Sequence, residues 1–499
     1  MYQPPIVKFP VFSVTWAEAT DDDGSHTPAI VAAGGGGSGK TGVSNKITLI
    51  AYRGGTKHPE HAIAHEIETS PETPNCVTAD ARGQVIAASF GRIVRAYANL
   101  PSGLHVLAEF QADFAERESS VNSMTFSEHV GAEDAMGGAL LLATGGEDGV
   151  LRVWQLSAAG SPGEGDGEGF SEAKGGVDEV PSLQVDLVGE CKGHSKPVTC
   201  VRFHTSLMLV LTSSKDGTCR LWDWRRGAEA AVMVTSSGLP SSVEAPAVIS
   251  RSCCFSPDKP DTLYSVQSGR RGSAYVTQWR YTVGEFGAKN KKSRGASARE
   301  GEEPEPEPQG ETPLTCVTEP VKVACVSGCP ATSISVRSDG TRLAIGTVNG
   351  AVAVYRLPGF AKVVQYPAHD LPVTGLGFAP GDTGAVLGGY DLVAASADYK
   401  ITLLKSQGSS FRLAVQQILA FLWGVVSFIF TSTYRVIRIA ISVLMTIIPV
   451  LGLMVIGASM LYYPENLLDV IERALGVEPL EGGAEAPWDE VDRTSSIVT

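Results

Sequence analysis

Residues 33–46, AGGGGSGKTGVSNK, carry the side chains and the spacing for two different chemistries. Gly34, Gly39, Lys40 and Thr41 satisfy the pattern of a phosphate loop, in which glycine amides cradle phosphates, a lysine reaches the outer ones and a hydroxyl takes magnesium. That chemistry needs the loop to open into an α-helix, whose first amides and dipole hold the anion. The following residues do not read as a helix. Gly42 and Asn45 disfavour a first turn, and 46–52, KITLIAY, is a short β-rich run stopped by Arg53, Gly54 and Gly55. No second carboxylate motif for magnesium follows a later strand, so the chain is not expected to bind a nucleotide itself. The glycines then join two strands, 29–33 and 46–52. They form either a flexible hairpin tip or a loop whose exposed backbone touches something.

No other constellation reads as enzymatic. The nine histidines are scattered, G-x-S-x-G and H-E-x-x-H are absent, and the acidic runs lie in low-complexity segments. A net charge of −14 argues against a nucleic-acid surface, which needs concentrated Lys and Arg. The basic cluster at 289–294 sits beside an equally acidic run and reads as solvated. Nine cysteines without paired zinc spacing, several inside apolar runs (Cys200, Cys219, Cys253, Cys254), read as small buried hydrophobes in a reducing compartment. The amino terminus shows no cleavable leader, which places the region up to about residue 410 in the cytosol.

The elements that must hold the glycine loop are short strands in a repeat. Residues 193–223, GHSKPVTCVRFHTSLMLVLTSSKDGTCRLWD, contain strands at 197–203, 207–213 and 218–223 and end in the Trp-Asp pair that marks a propeller blade. Asp148 and Trp154 repeat the spacing of Asp216 and Trp222. Further triplets fall at 11–52, 75–98, 250–281, 331–356 and 372–404, most with an outer strand such as 104–110, 183–188 or 361–366. Without the low-complexity inserts 157–182 and 285–312, each unit has about fifty residues, slightly long for this repeat class, and the units fit a WD-repeat-like, seven-bladed β-propeller over 1–405. Residues 5–9 could complete the last blade and close the ring. Within a blade, His194, a serine near Ser213 and Asp216 are expected to hydrogen-bond around the Trp as architecture.

The character changes at residue 411. Segments 413–434 and 439–463 contain no charge, and each is long enough to cross a hydrocarbon core. With only Arg435 to Arg438 between them and neither Gly nor Pro to make a turn, the sequence favours an amphipathic or membrane-entering segment at 411–438 and one transmembrane helix at 439–463. A two-span hairpin is the alternative. Lys405, Arg412, Arg435 and Arg438 precede the span and the tail 464–499 is acidic, which orients the propeller to the cytosol and the tail across the membrane.

A cytosolic propeller with a glycine-rich loop in its first blade and a carboxyl-terminal anchor resembles the endoplasmic-reticulum guanine-nucleotide exchange factors for the Sar-type small GTPase, the secretory-twelve and prolactin regulatory element-binding protein family. The family carries a run of glycines and then Gly-Ile-Pro-Asn before the next strand. Here that reads Gly42-Val43-Ser44-Asn45, with Ser44 in place of the proline that would have fixed one backbone dihedral. The resemblance implies that Gly42, Val43 and Asn45 belong to the catalytic loop. It implies a potassium ion held by loop backbone, with candidates Gly37, Ser38, Gly42 and Asn45, and partner contacts at Pro74 and His369. Pro74 also reads as a plain turn residue, and His369 as the counterpart of His194. The implied activity is acceleration of GDP release from the Sar-type GTPase at the endoplasmic-reticulum membrane, starting COP-II coat assembly for export to the Golgi, with no bond broken by this chain. The alternative from another class is a membrane-tethered propeller that only scaffolds other proteins.

Overall fold

The computed structural model describes residues 2, 7–20, 25–37, 39, 41–55, 58–127, 140–158, 182–205, 209–240, 248–269, 271–284, 314–407, 438, 441–455 and 457–458. The chain divides into two units, 1–410 and 411–499.

The first unit is a ring of seven antiparallel sheets. Blade 1 is β1 (Val11–Thr20), β2 (His26–Gly34), β3 (Lys46–Arg53) and β4 (Glu60–Glu68). Blade 2 is β5 (Cys76–Ala79), β6 (Val85–Phe90), β7 (Ile93–Leu100) and β8 (Gly103–Gln111). Blade 3 is β9 (Val121–Phe126), β10 (Leu140–Gly146), β11 (Leu151–Ala158) and β12 (Leu183–Cys191). Blade 4 is β13 (Val198–Phe203), β14 (Leu209–Ser214), β15 (Thr218–Asp223) and β16 (Ala228–Val234). Blade 5 is β17 (Ile249–Phe255), β18 (Thr262–Ser268), β19 (Ala274–Gly284) and β20 (Thr315–Ser327). Blade 6 is β21 (Ala331–Val336), β22 (Arg342–Thr347), β23 (Ala351–Arg356) and β24 (Ala361–Pro367). Blade 7 is β25 (Val373–Phe378), β26 (Leu392–Ser396) and β27 (Lys400–Leu404), with one helical turn, α1 (Thr383–Val386), between its first two strands.

The second and third strands of each blade are buried on both faces, which is why they read as apolar runs rich in Ala and Val. The outer strands alternate or lie exposed; β4 runs EHAIAHEIE with most residues open to solvent. Apolar side chains collect between adjacent sheets. The cluster that joins blade 7 to blade 1 contains Trp16, Ile30, Tyr52, Val393 and Leu403, so the ring is sealed by the same kind of core as its other joints. Closure leaves few open sheet edges.

The ring closes through the amino terminus, three residues earlier than 5–9. Tyr2 and Leu403 exchange backbone hydrogen bonds at 2.8 Å in both directions. Residues 7–9 form no strand, and 3–6 lie outside the described residues. Pro4 and Pro5 have no N–H to give a ladder, whereas Tyr2 offers both donor and acceptor.

The inserts 157–182 and 285–312 lie almost wholly outside the described residues, as do 411–437 and 459–499. Residues 441–455, inside the segment expected to span a membrane, are helical. Ile441, Val443, Leu444, Met445, Ile447 and Leu453 are all exposed there, so apolar side chains occupy every face of that helix. Among the described residues no helix is long and apolar enough to cross a membrane.

Candidate functional site

The glycine loop connects β2 to β3, whose last ladder pair is Gly34 with Lys46. Since β3 is a strand, no helix terminus follows Thr41 to receive a phosphate, as the residue types indicated. Ser38 and Lys40 lie outside the described residues.

Asn45 organises the loop. Its Oδ1 accepts the Gly37 N–H at 3.1 Å, and its Nδ2 donates to the Gly37 carbonyl and to the Pro71 carbonyl, both at 3.1 Å. Its backbone N–H donates to Ser70 Oγ at 3.1 Å, and its carbonyl accepts the Thr69 N–H at 2.8 Å. Both amide hydrogens and the side-chain oxygen are thus used inside the protein, and the residue is 1% exposed. Gly35 lies against this clasp: a Cβ there would stand 2.1 Å from Asn45 Oδ1 and 2.5 Å from its Cα. Val43 packs on the core between blades 7 and 1. Gly39, Thr41 and Gly42 stand exposed at the tip, with Gly42 at φ +76°.

The base is tied further into the ring. Residues 69–72 close a turn through the Glu72 N–H to Thr69 carbonyl bond at 2.9 Å, and Glu72 meets Arg95 of blade 2 at 2.5 Å. Arg95 also pairs with Glu109 at 2.5 Å and covers the Phe90 ring. The contribution of Thr69, Ser70 and Pro71 was not legible in the sequence. Only an unusual polar-proline turn, TSPETP, marks the place.

Three of the residues singled out in the sequence lie inward. Asn45 spends its amide within the protein and positions the loop whose tip is exposed. Pro74 is buried, so it offers no surface. The His369 ring is 0% exposed and bonds Asp398 at 3.1 Å through Nδ1, which leaves the architectural reading. Burial lowers its pKa against the pull of that carboxylate.

The oxygens expected to gather potassium are partly engaged. The Gly37 carbonyl and Asn45 Oδ1 serve the clasp, and the Asn45 carbonyl serves Thr69. In this closed shape the Asn45 amide does the work of ordering the loop that a cation would do, and the described residues do not form a ready cage.

The blade 4 network holds as architecture with one exchange of hydroxyl. His194 bonds Asp216 at 2.9 Å through Nδ1 and Thr212 Oγ1 at 2.7 Å through Nε2, and Thr212 also accepts the Trp222 indole N–H at 2.8 Å. Ser213, the residue expected here, faces the other side and bonds Thr199. Asp216 is held well below the carboxylate range despite its burial, by hydrogen bonds from His194 and Thr218. In blade 3, Arg152 takes the place of the histidine beside Asp148 at 2.6 Å. Cys200, Cys219, Cys253 and Cys254 are buried and free, as expected. Among the described residues no group of His, Cys, Asp and Glu could hold a metal ion.

Residues 185–223, which run from β12 of blade 3 through β13, β14 and β15 of blade 4, match the WD domain, G-beta repeat family. The chain is similar to eukaryotic translation initiation factor 3 subunit I of Danio rerio, 38% identical over 71 residues that cover 14% of this chain and 22% of that protein. It is also similar to pre-mRNA-processing factor 19 of Bos taurus, 23% identical over 192 residues that cover 38% of this chain and 29% of that protein. The chain thus spans less than a third of either relative's length.

Proposed function

From the premise that this chain is a WD-repeat protein with a seven-bladed β-propeller, a fold suited to protein interaction, we propose that it is a membrane-anchored guanine-nucleotide exchange factor for a Sar-type small GTPase. The observation that supports this is the blade 1 loop, clamped at its base by Asn45 and open at Gly39, Thr41 and Gly42. A backbone held in one shape docks with a smaller loss of entropy than a floppy one. A GTPase keeps its nucleotide through mobile switch segments that contact phosphate and magnesium. A loop that binds the nucleotide-free form more tightly than the loaded form must weaken nucleotide affinity by the same factor. The apolar helix at 441–455 supports an anchor, which would raise the local concentration of a GTPase acting at the same membrane. The propeller is then a regulator with no bond-breaking chemistry of its own.

The second reading is a tethered scaffold, favoured by the WD-repeat match in blade 4, on a different sheet from the loop. Fluorescent-GDP release from a Sar-type GTPase, measured with the full chain in detergent in potassium and then in sodium buffer, separates the two. Acceleration in either buffer supports exchange. Unchanged release in both removes it and leaves the scaffold.

A further inference from the structure

The innermost strands of the ring carry two cations that no carboxylate among the described residues neutralises. β1, β5, β9, β13, β17, β21 and β25 contain Arg202, Arg251 and a single carboxylate, Glu18, which is exposed and pairs with His26 at 3.9 Å. This is unexpected in a chain of net charge −14.

Arg202 feels the thiols of Cys200, Cys253, Cys254 and Cys76. Cys76 belongs to blade 2 and Arg202 to blade 4, with blade 3 between them, so the two meet only near the axis of the ring. These thiols are neutral at pH 7 and cannot balance a guanidinium. Burial pushes Cys254 up to about 12 and raises Cys76 and Cys253, and a hydrogen bond with Cys253 together with burial raises Cys200. Arg202 Nη1 donates to the Val201 carbonyl at 2.8 Å, a neutral acceptor.

Arg251 occupies a position that recurs around the ring. The inner-strand ladders skip one residue each at Phe12, Asn122, Thr199, Arg251, Thr332 and Thr374. Such bulges re-aim a side chain out of the ladder. Asn122, Thr199 and Thr374 use that freedom to reach the next blade, donating to the carbonyls of Val198 at 3.1 Å, Ser250 at 2.8 Å and Val11 at 2.8 Å. Arg251 makes no such bond, and its Nε is buried without a partner. Glu147, which the bulge residue Asn122 of blade 3 meets at 3.0 Å, is already matched by Lys215 at 3.4 Å.

A guanidinium withdrawn from water without a counter-charge is unfavourable, and its planar fork of five donors fits an oxyanion edge-on. Arg202 lies three residues beyond the blade 4 bulge, about 10 Å along the strand, so the axis presents positive charge at two depths. We propose that the axial channel of the propeller binds a small oxyanion, a phosphate or carboxylate group, on the Arg251 guanidinium, with Arg202 as the deeper positive charge.

The test is thermal unfolding of the full chain in detergent, titrated with sodium phosphate and in parallel with sodium acetate, at ionic strength held constant with sodium chloride. A saturable rise in the unfolding temperature is expected. A rise with phosphate alone assigns the phosphate class, and a rise with both assigns oxyanions generally. Arg251→Gln removes a half-buried unpaired charge and should fold at least as stably as the parent. It should raise the half-saturating concentration by roughly tenfold or more, the worth of one charge-assisted pair. Arg202→Gln should weaken the response less. Absence of a saturable rise overturns the proposal. An equal rise in Arg251→Gln also overturns it, because excluded salts stabilise any fold without a site.

Discussion

Asn45 and Gly37 hold each other by two hydrogen bonds across the glycine loop, side-chain oxygen to N–H and side-chain N–H to carbonyl, each 3.1 Å long. The pair mimics a ladder rung where the β2–β3 sheet has already ended. Asn45→Ala removes both bonds and the one to Pro71, leaving half-buried Gly37 unmatched and the exposed Pro71 to water, at about 1–2 kcal/mol. The expected outcome is faster amide hydrogen exchange at 41–44 and a fall of at least roughly tenfold in GDP release, as the loop loses its bound shape. Retained exchange activity with a loosened loop would show that the loop is not the acting element.

Gly42 stands at φ +76° with no atom near the place of its missing Cβ. Gly42→Val meets no clash but resists the left-handed backbone, at about 1–2 kcal/mol, and so reshapes the tip alone. Gly42→Asn tolerates that conformation and should keep most activity. The expected order of GDP-release rates is wild type, then Asn, then Val, with unfolding temperatures close together. A tethered scaffold predicts no such order.

The sequence announced the seven blades because short apolar runs, turn residues and the Trp-Asp pair are local signals. It also announced the strand after Thr41, since KITLIAY is β-rich over its whole length. What it could not show were contacts between distant segments. That Asn45 turns its amide inward was not legible, because nothing local says that the turn at 69–71, some way down the chain, supplies its acceptor. Thr212 and Ser213 are adjacent hydroxyls, and only the register that pairs Val210 with Trp222 decides that Thr212 shares the tryptophan's face. The inner-strand bulges, and with them the placement of Arg251, leave no mark in composition or periodicity.

Thr212 accepts from the Trp222 indole and, with the His194 Nδ1–H given to Asp216, donates its own proton to His194 Nε2, so one hydroxyl satisfies two buried groups. Thr212→Val keeps the shape and removes the hydroxyl. A loss of about 2–4 kcal/mol is expected, one buried donor and one buried acceptor at about 1–2 kcal/mol each, checked by denaturant unfolding at constant slope. Thr212→Ser keeps the hydroxyl and should recover most of it. Equal losses in both variants would mean that methyl packing, and not the shared hydroxyl, stabilises the blade.

His369 shows what happens when that arrangement is incomplete. By register with blade 4, Ala394 stands where Thr212 would be and Leu404 where Trp222 would be, and the His369 Nε2 is buried with no hydrogen-bond partner. Burial lowers the ring's pKa, so the unfolded chain takes up a proton before the folded one does. Stability from this group is therefore present above the ordinary histidine value and is lost as pH falls through it, until the folded ring also titrates. Unfolding free energy should drop between pH 7.5 and pH 5.5, by at most about 1.4 kcal/mol per pH unit. His369→Gln should flatten that drop while retaining a bond to Asp398. Ala394→Thr gives Nε2 a hydroxyl donor of the kind His194 has, and should raise stability at neutral pH. A pH profile unchanged by His369→Gln would place the acid sensitivity elsewhere in the propeller.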